Sequence, residues 1–166
     1  MTEKSYTSSR RISGRGDFAW GERTYVMGII NVSPESFSGD GVTDVEAAVA
    51  QGKRFVEEGA DILDVGGEST RPAVSATVEE GVSGAASSEG ATALPVEVEA
   101  RRVIPVIRRL AQEVTVPISV DTYKSQVARQ AIEAGAAMIN DVWGLKADAD
   151  LARVAAEHDV PIVLMH

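Results

Sequence analysis

From residue 25 onward the apolar positions of the chain switch repeatedly between two periods, and each switch marks a boundary between elements. YVMGIINV (25–32) is an apolar run of strand length, with a small hairpin expected before it over 18–24. Residues 45, 48, 49, 52, 55, 56 and 59 are apolar or small, the spacing of one helical face. Thr43, with Glu46 three residues later, has the form of a capping box at the start of that helix. Strand character returns over 62–66 and helical character over 98–114, where Val103, Val106, Ile107, Leu110 and Val114 share a face. Pro105 falls inside this pattern and predicts a kink or a late start. The series continues with a strand over 118–122, a helix over 125–135, a strand over 138–142, a helix over 150–158 and a strand opening at 161–166.

Strands separated by helices of crossover length run parallel, so the chain is an α/β protein. Two architectures satisfy the pattern: an open doubly wound sheet, or part of a (β/α)8 TIM barrel. A complete barrel takes about 250 residues, so on the second reading the chain holds an incomplete one, with four βα units and a fifth strand. Residues 73–97, rich in Ala, Gly, Ser and Glu, interrupt the rhythm and read as a mobile surface loop. Residues 1–17 read as a flexible tail, leaving 18–166 for the barrel portion.

The charge balance narrows the choice of partner. Sixteen basic against 25 acidic residues give a net charge of -9, which argues against nucleic acid. A small anion held by one or two local cations remains compatible with it. The chain has no cysteine, which excludes disulfides and thiolate metal sites. No apolar run is long enough for a transmembrane helix, and the first residues lack the apolar stretch of a secretory signal.

Ligands of parallel α/β folds bind at the carboxyl ends of the strands. Those ends carry Asn31, then Ser69-Thr70-Arg71, Asp121-Thr122, Asn140-Asp141 and finally His166. Alternation puts Ser119 and Asp121 on one face of their strand, and Asn140 stands within its strand rather than after it. Polar groups so placed need partners. A carboxylate such as Asp121 can accept two parallel hydrogen bonds from an aminopyrimidinone edge, and Asn140 can both donate and accept on the same ring. Arg71 and the hydroxyls of Ser69 and Thr70, following Gly66-Gly67, suit phosphate oxygens. Asn31 offers a neutral oxygen to a hard cation such as Mg²⁺. The Pro- and Gly-bearing segment 31–41, with Phe37 and Asp40, suits a lid. His158 reads as a solvated helix-end residue, and His166 is given no role.

The motifs MGIINVSPESFSGDG (27–41), DILDVGGESTRP (61–72), RRVIPVI (101–107), PISVDTYK (117–124) and INDVWG (139–144) resemble the dihydropteroate synthase family in kind and order. The resemblance implies a (β/α)8 barrel and a cytoplasmic, Mg²⁺-dependent transferase of folate biosynthesis. Such an enzyme condenses 6-hydroxymethyl-7,8-dihydropterin pyrophosphate with 4-aminobenzoate, and sulfonamides compete with the latter. It further implies that Asp121 and Asn140 hold the pterin and that Thr70 and Arg71 engage the pyrophosphate or take part in loop closure. Arg71 and Asp121 are the catalytic candidates. Asn31 would lie near the metal, and Phe37 and Pro72 would border the aminobenzoate.

The first loop departs from the family pattern, with Glu35 in place of Asp and Gly39-Asp40 in reversed order, so Asp40 is expected to supply its carboxylate from a shifted position. Ala73 stands where Gly is common. The family's later strands carry a further pterin-binding Asp, a Lys loop, an Arg-x-His phosphate site and most of the homodimer contacts. Residues 1–166 therefore read as an N-terminal portion, expected to be inactive alone. A pterin-dependent methyltransferase domain and a non-catalytic pterin-binding fragment are the alternatives. GGESTRP followed by SVDTYK argues against the former.

Overall fold

The computed structural model describes residues 9–11, 17–19, 21–32, 41–68 and 94–165. Their elements are β1 (Ser9–Arg11), β2 (Asp17–Ala19), β3 (Met27–Asn31), α1 (Gly41–Glu57), β4 (Ile62–Gly66), α2 (Val96–Glu113), β5 (Ile118–Asp121), α3 (Ser125–Ala134), β6 (Met138–Asp141), α4 (Asp150–Glu157) and β7 (Ile162–Leu164). β1 and β2 pair antiparallel, and β3 to β7 form one parallel sheet whose spatial order follows the chain. That order decides between the two architectures. A doubly wound sheet reverses direction at a switch point, whereas a sheet that always adds its next strand on the same side is a barrel wall. Five of the eight strands that close such a barrel are present among the described residues.

The two faces of the wall differ as alternation requires. Ile30, Leu63, Val65, Ile118, Val120 and Ile139 point outward and are fully buried. They pack under Val103, Val106, Ile107 and Leu110 of α2, Val127 and Ala131 of α3, and Leu151 and Val154 of α4. A second, smaller cluster closes the amino end of the barrel interior. There Phe18 of β2 packs with Ile62, Ala137 and Met138, flanked by Tyr25 and Met27. The Phe18 and Tyr25 rings meet edge-on, 4.6 Å apart. The Tyr25 hydroxyl also accepts a hydrogen bond from the Ala19 amide at 2.9 Å.

Several boundaries differ from expectation. The antiparallel pair lies at Ser9–Arg11 and Asp17–Ala19 instead of 18–24, so strand pairing reaches into the segment expected as a flexible tail. α1 begins at Gly41, which puts Thr43 inside the first turn and not at its cap. α2 does not start late at Pro105; it is helical from Val96 to Glu113 and absorbs the last two residues of the expected 73–97 loop. The carbonyl that Pro105 leaves unpaired is that of Arg101, an exposed residue, so water can satisfy it. None of the described helices is long and apolar enough to cross a membrane.

Leu110 is fully buried in the main cluster, where α2 meets the sheet. Leu110→Ala is expected to lower unfolding free energy by about 2–5 kcal/mol. A urea titration read by circular dichroism measures it.

Candidate ligand-binding site at the barrel mouth

The inward face turns polar toward the carboxyl ends of the strands. Register places Asn31, Gly66, Asp121 and Asn140 side by side across β3 to β6. One layer deeper, Ile29, Asp64, Ser119 and Met138 form the matching row. Asn140 Nδ2 donates to Asp64 Oδ2 at 2.9 Å, linking the two layers across the intervening strand β5. Gly66 leaves room for the neighbouring carboxylate, since a Cβ there would lie 3.2 Å from Asp121 Oδ2. Asp64 and Ser119 are buried, yet Asp64 Oδ1 and Ser119 Oγ have no hydrogen-bond partner of normal geometry among the described residues. Buried polar atoms require partners. A hydrogen-bonding ligand or ordered water in the mouth would provide them.

Burial sets the electrostatics. It raises the Asp64 carboxyl above its ordinary range, an effect offset in part by the hydrogen bond from Asn140 and by the proximity of Ser119. Asp121 is pushed up to about 7, first by burial and then by the negative charges of Asp64, Glu99, Asp141 and Glu68. Near neutral pH the mouth therefore holds a carboxyl that gains or loses its proton readily, at the inward-facing end of β5.

Other polar residues around the mouth serve the frame. Asp141 is buried, and its carboxylate accepts the amides of Trp143 at 2.9 Å and Leu145 at 2.6 Å, building the turn after β6. Lys124, just after β5, donates to Glu68 at 2.6 Å and to Glu99 at 2.5 Å. Burial opposes its charge, but the two carboxylates prevail and raise the Lys124 ammonium above its ordinary value. Burial likewise opposes the Glu68 carboxylate, and the Leu94 amide together with Lys124 and Tyr123 hold it below the usual range. His158 ends α4 half-buried, with Nε2 3.3 Å from Arg129 Nη1, so it is less solvated than its helix-end position suggests.

Of the residues singled out by sequence, Asp121, Asn140 and Asn31 come together in one layer. Phe37, Asp40, Ser69, Thr70, Arg71, Pro72 and His166 lie outside the described residues. Sequence reasoning missed Asp64, although it shares the parity of Gly66 and its strand register faces Ser119. It also missed Lys124, Glu68 and Glu99, whose partners are 25 and 56 residues apart in the chain. Among the described residues no three His, Asp or Glu side chains converge into a metal cage. Asn31, exposed at the end of β3, fits instead a cation that keeps most of its waters and takes few protein ligands.

Parallel strands in barrel order, with a layer of mixed donors and acceptors at their carboxyl ends, define a barrel-type α/β protein whose polar groups gather at the mouth. The chain belongs to the pterin-binding enzyme family, whose description matches residues 27–82 and 76–166. It is 47% identical over 154 residues to the dihydropteroate synthase of Clostridium beijerinckii, an alignment covering 92% of this chain and 51% of that protein. Among solved structures it resembles the Xanthomonas albilineans dihydropteroate synthase with 4-aminobenzoic acid (53% identity, TM-score 0.72, 87% of this chain and 47% of that one). It also resembles the Clostridium difficile dihydropteroate synthase in the presence of pteroic acid (44% identity, TM-score 0.76, 90% and 51%). The chain thus spans about half the length of the curated relatives it matches.

The raised Asp121 has a stability consequence with a definite sign. The folded state holds this proton up to about pH 7 whereas an unfolded Asp releases it near 3.8, so stability falls as pH rises between these values. Asp121→Asn is expected to stabilise the protein at pH 8 by about 1–3 kcal/mol. The gain should shrink as pH falls below about 7 and vanish near the unfolded value. Paired urea titrations across this range check it, and a gain that grows on acidification would contradict it.

Proposed function

We propose that the protein, at its full natural length, is a dihydropteroate synthase: it joins 4-aminobenzoate to the methylene of 6-hydroxymethyl-7,8-dihydropterin pyrophosphate and releases pyrophosphate. The observation that carries this reading is the two-layer polar patch of Asp121, Asn140, Asp64 and Ser119 inside an otherwise apolar wall. Ionised Asp121 can accept two parallel hydrogen bonds from the N–H and amino groups of the pterin ring. Asp64 holds one amide hydrogen of Asn140, which leaves the other hydrogen and the carbonyl oxygen of Asn140 for the same ring.

With the ring fixed, the reaction is a substitution at its exocyclic methylene. The C–O bond to pyrophosphate breaks, a C–N bond to the arylamine forms, and the amine nitrogen gives up a proton. The electron-rich dihydropterin stabilises positive charge at the methylene, so the amine needs placement more than a base. Thr70 and Arg71 are assigned to the pyrophosphate, where the guanidinium meets the charge developing on the leaving group. Phe37, Pro72 and Asp40 are assigned to the aminobenzoate side. Asn31 would hold Mg²⁺, which when bound supplies further neutralisation of the leaving pyrophosphate. No described helix could cross a membrane, and a cytoplasmic homodimer is the assembly proposed.

Calorimetric titration with the pterin pyrophosphate tests the reading. Asp121→Ala and Asn140→Ala are each expected to weaken binding about tenfold or more. Wild-type affinity should fall as pH drops below about 7, where Asp121 becomes protonated, and Asp121→Asn should abolish that dependence. Binding indifferent to both substitutions would overturn the assignment. Residues 1–166 on their own are expected to bind the pterin weakly and to form little or no dihydropteroate in a coupled pyrophosphate-release assay.

A further inference from the structure

Three charged side chains from three elements meet beneath the rim of the mouth. Glu68 follows the exit of β4, Lys124 follows the exit of β5, and Glu99 stands in the first turn of α2. Lys124 Nζ lies between Glu68 Oε2 at 2.6 Å and Glu99 Oε2 at 2.5 Å, and Glu99 is only 1% exposed. The cluster has further attachments. Glu68 Oε1 accepts the Leu94 amide at 3.0 Å, just before α2, and the Tyr123 hydroxyl approaches Glu68 Oε2 at 3.3 Å. Arg102 of α2 donates to the Gly67 carbonyl at 2.8 Å. The exit of β4 rests so closely on α2 that a Cβ on Gly67 would come within 2.8 Å of Val103 Cγ1.

A buried ion pair is a poor device for stability alone, because a packed apolar pair of similar volume often serves as well or better. It is a directional device: it fixes the relative placement of the segments that carry it. Here those segments are the exits of β4 and β5, and the residues they deliver to the mouth are Gly66 and Asp121, which are register partners. Only Thr122 and Tyr123 separate Asp121 from Lys124, and Thr122 Oγ1 accepts the Lys124 amide at 3.2 Å, shortening that tether. We propose that Lys124, clasped by Glu68 and Glu99, is a positioning residue for Asp121. It sets where that carboxylate meets the ligand and makes no ligand contact itself, its charge being already matched by two carboxylates. This rests on the pterin reading of the mouth.

The test uses the protein at its full natural length and compares Lys124→Met with the double variant Lys124→Met/Glu99→Leu, which replaces the buried pair by apolar groups. The single variant is expected to weaken pterin pyrophosphate binding about tenfold or more. The double variant should recover the melting temperature while pterin binding stays weak. Both should bind inorganic pyrophosphate as the wild type does. Recovery of pterin affinity together with melting temperature would reduce the clasp to a packing role and overturn the proposal. So would unchanged pterin affinity in the single variant, or a loss confined to inorganic pyrophosphate, which would make Lys124 a direct anion ligand. Wild-type protein that binds no pterin at all would overturn the reading of the mouth and the proposal with it.

Discussion

The hydrogen bond from Asn140 to Asp64 fixes the character of the whole inner face. It joins side chains from β6 and β4 over the top of β5, so it forms only if three adjacent strands keep their parallel register. A one-residue slip of β4 or of β6 would turn its own group outward into the apolar layer beneath the helices. Register, burial and hydrogen-bonding polarity are thus tied together at this point. The outer face supplies the adhesion that holds the strands, and the inner pair specifies how they are aligned.

The inner layer exists against the preference of the fold. Asp64 and Asp121 both sit where burial raises their carboxyls, and the charge of Asp64 raises Asp121 further. A barrel selected only for stability would fill these positions with aliphatic side chains. Ser119 Oγ and Asp64 Oδ1, buried without a hydrogen-bond partner of normal geometry among the described residues, mark the same conflict at the level of single atoms. The chain belongs to the pterin-binding enzyme family, and on the proposed reading the conflict has a cause, since a ligand rich in ring nitrogens needs such groups.

Much of this was legible in the residue pattern because parallel strands buried on both faces read as short apolar runs. β4 and the cores of β5 and β6 fall where the runs lie, and Asp121 and Asn140 stand out as polar residues at or inside them. Asp64 did not stand out, because a single polar residue flanked by Leu63 and Val65 looks like an interruption until the opposite strand is known. The Lys124 clasp was hidden for a different reason: no local period connects positions 68, 99 and 124, and only the closing of the wall brings them together. The choice between barrel and doubly wound sheet likewise depends on spatial strand order, which the residue pattern left open and the family resemblance anticipated. The late start offered for Pro105 did not occur, because the cost of a helical proline depends on which carbonyl it strands, and here that carbonyl belongs to an exposed residue.

The hairpin of β1 and β2 places Phe18 under the strands, against Ile62 and Met138, at the end of the barrel remote from Asp121. Its effect is a division of labour along each strand. The strands that present hydrogen-bonding groups at their carboxyl ends are gripped at their amino ends by an aromatic ring, so adhesion and recognition occupy opposite halves of the same few residues. Loss of that ring would be felt as lost packing without altering any group at the mouth.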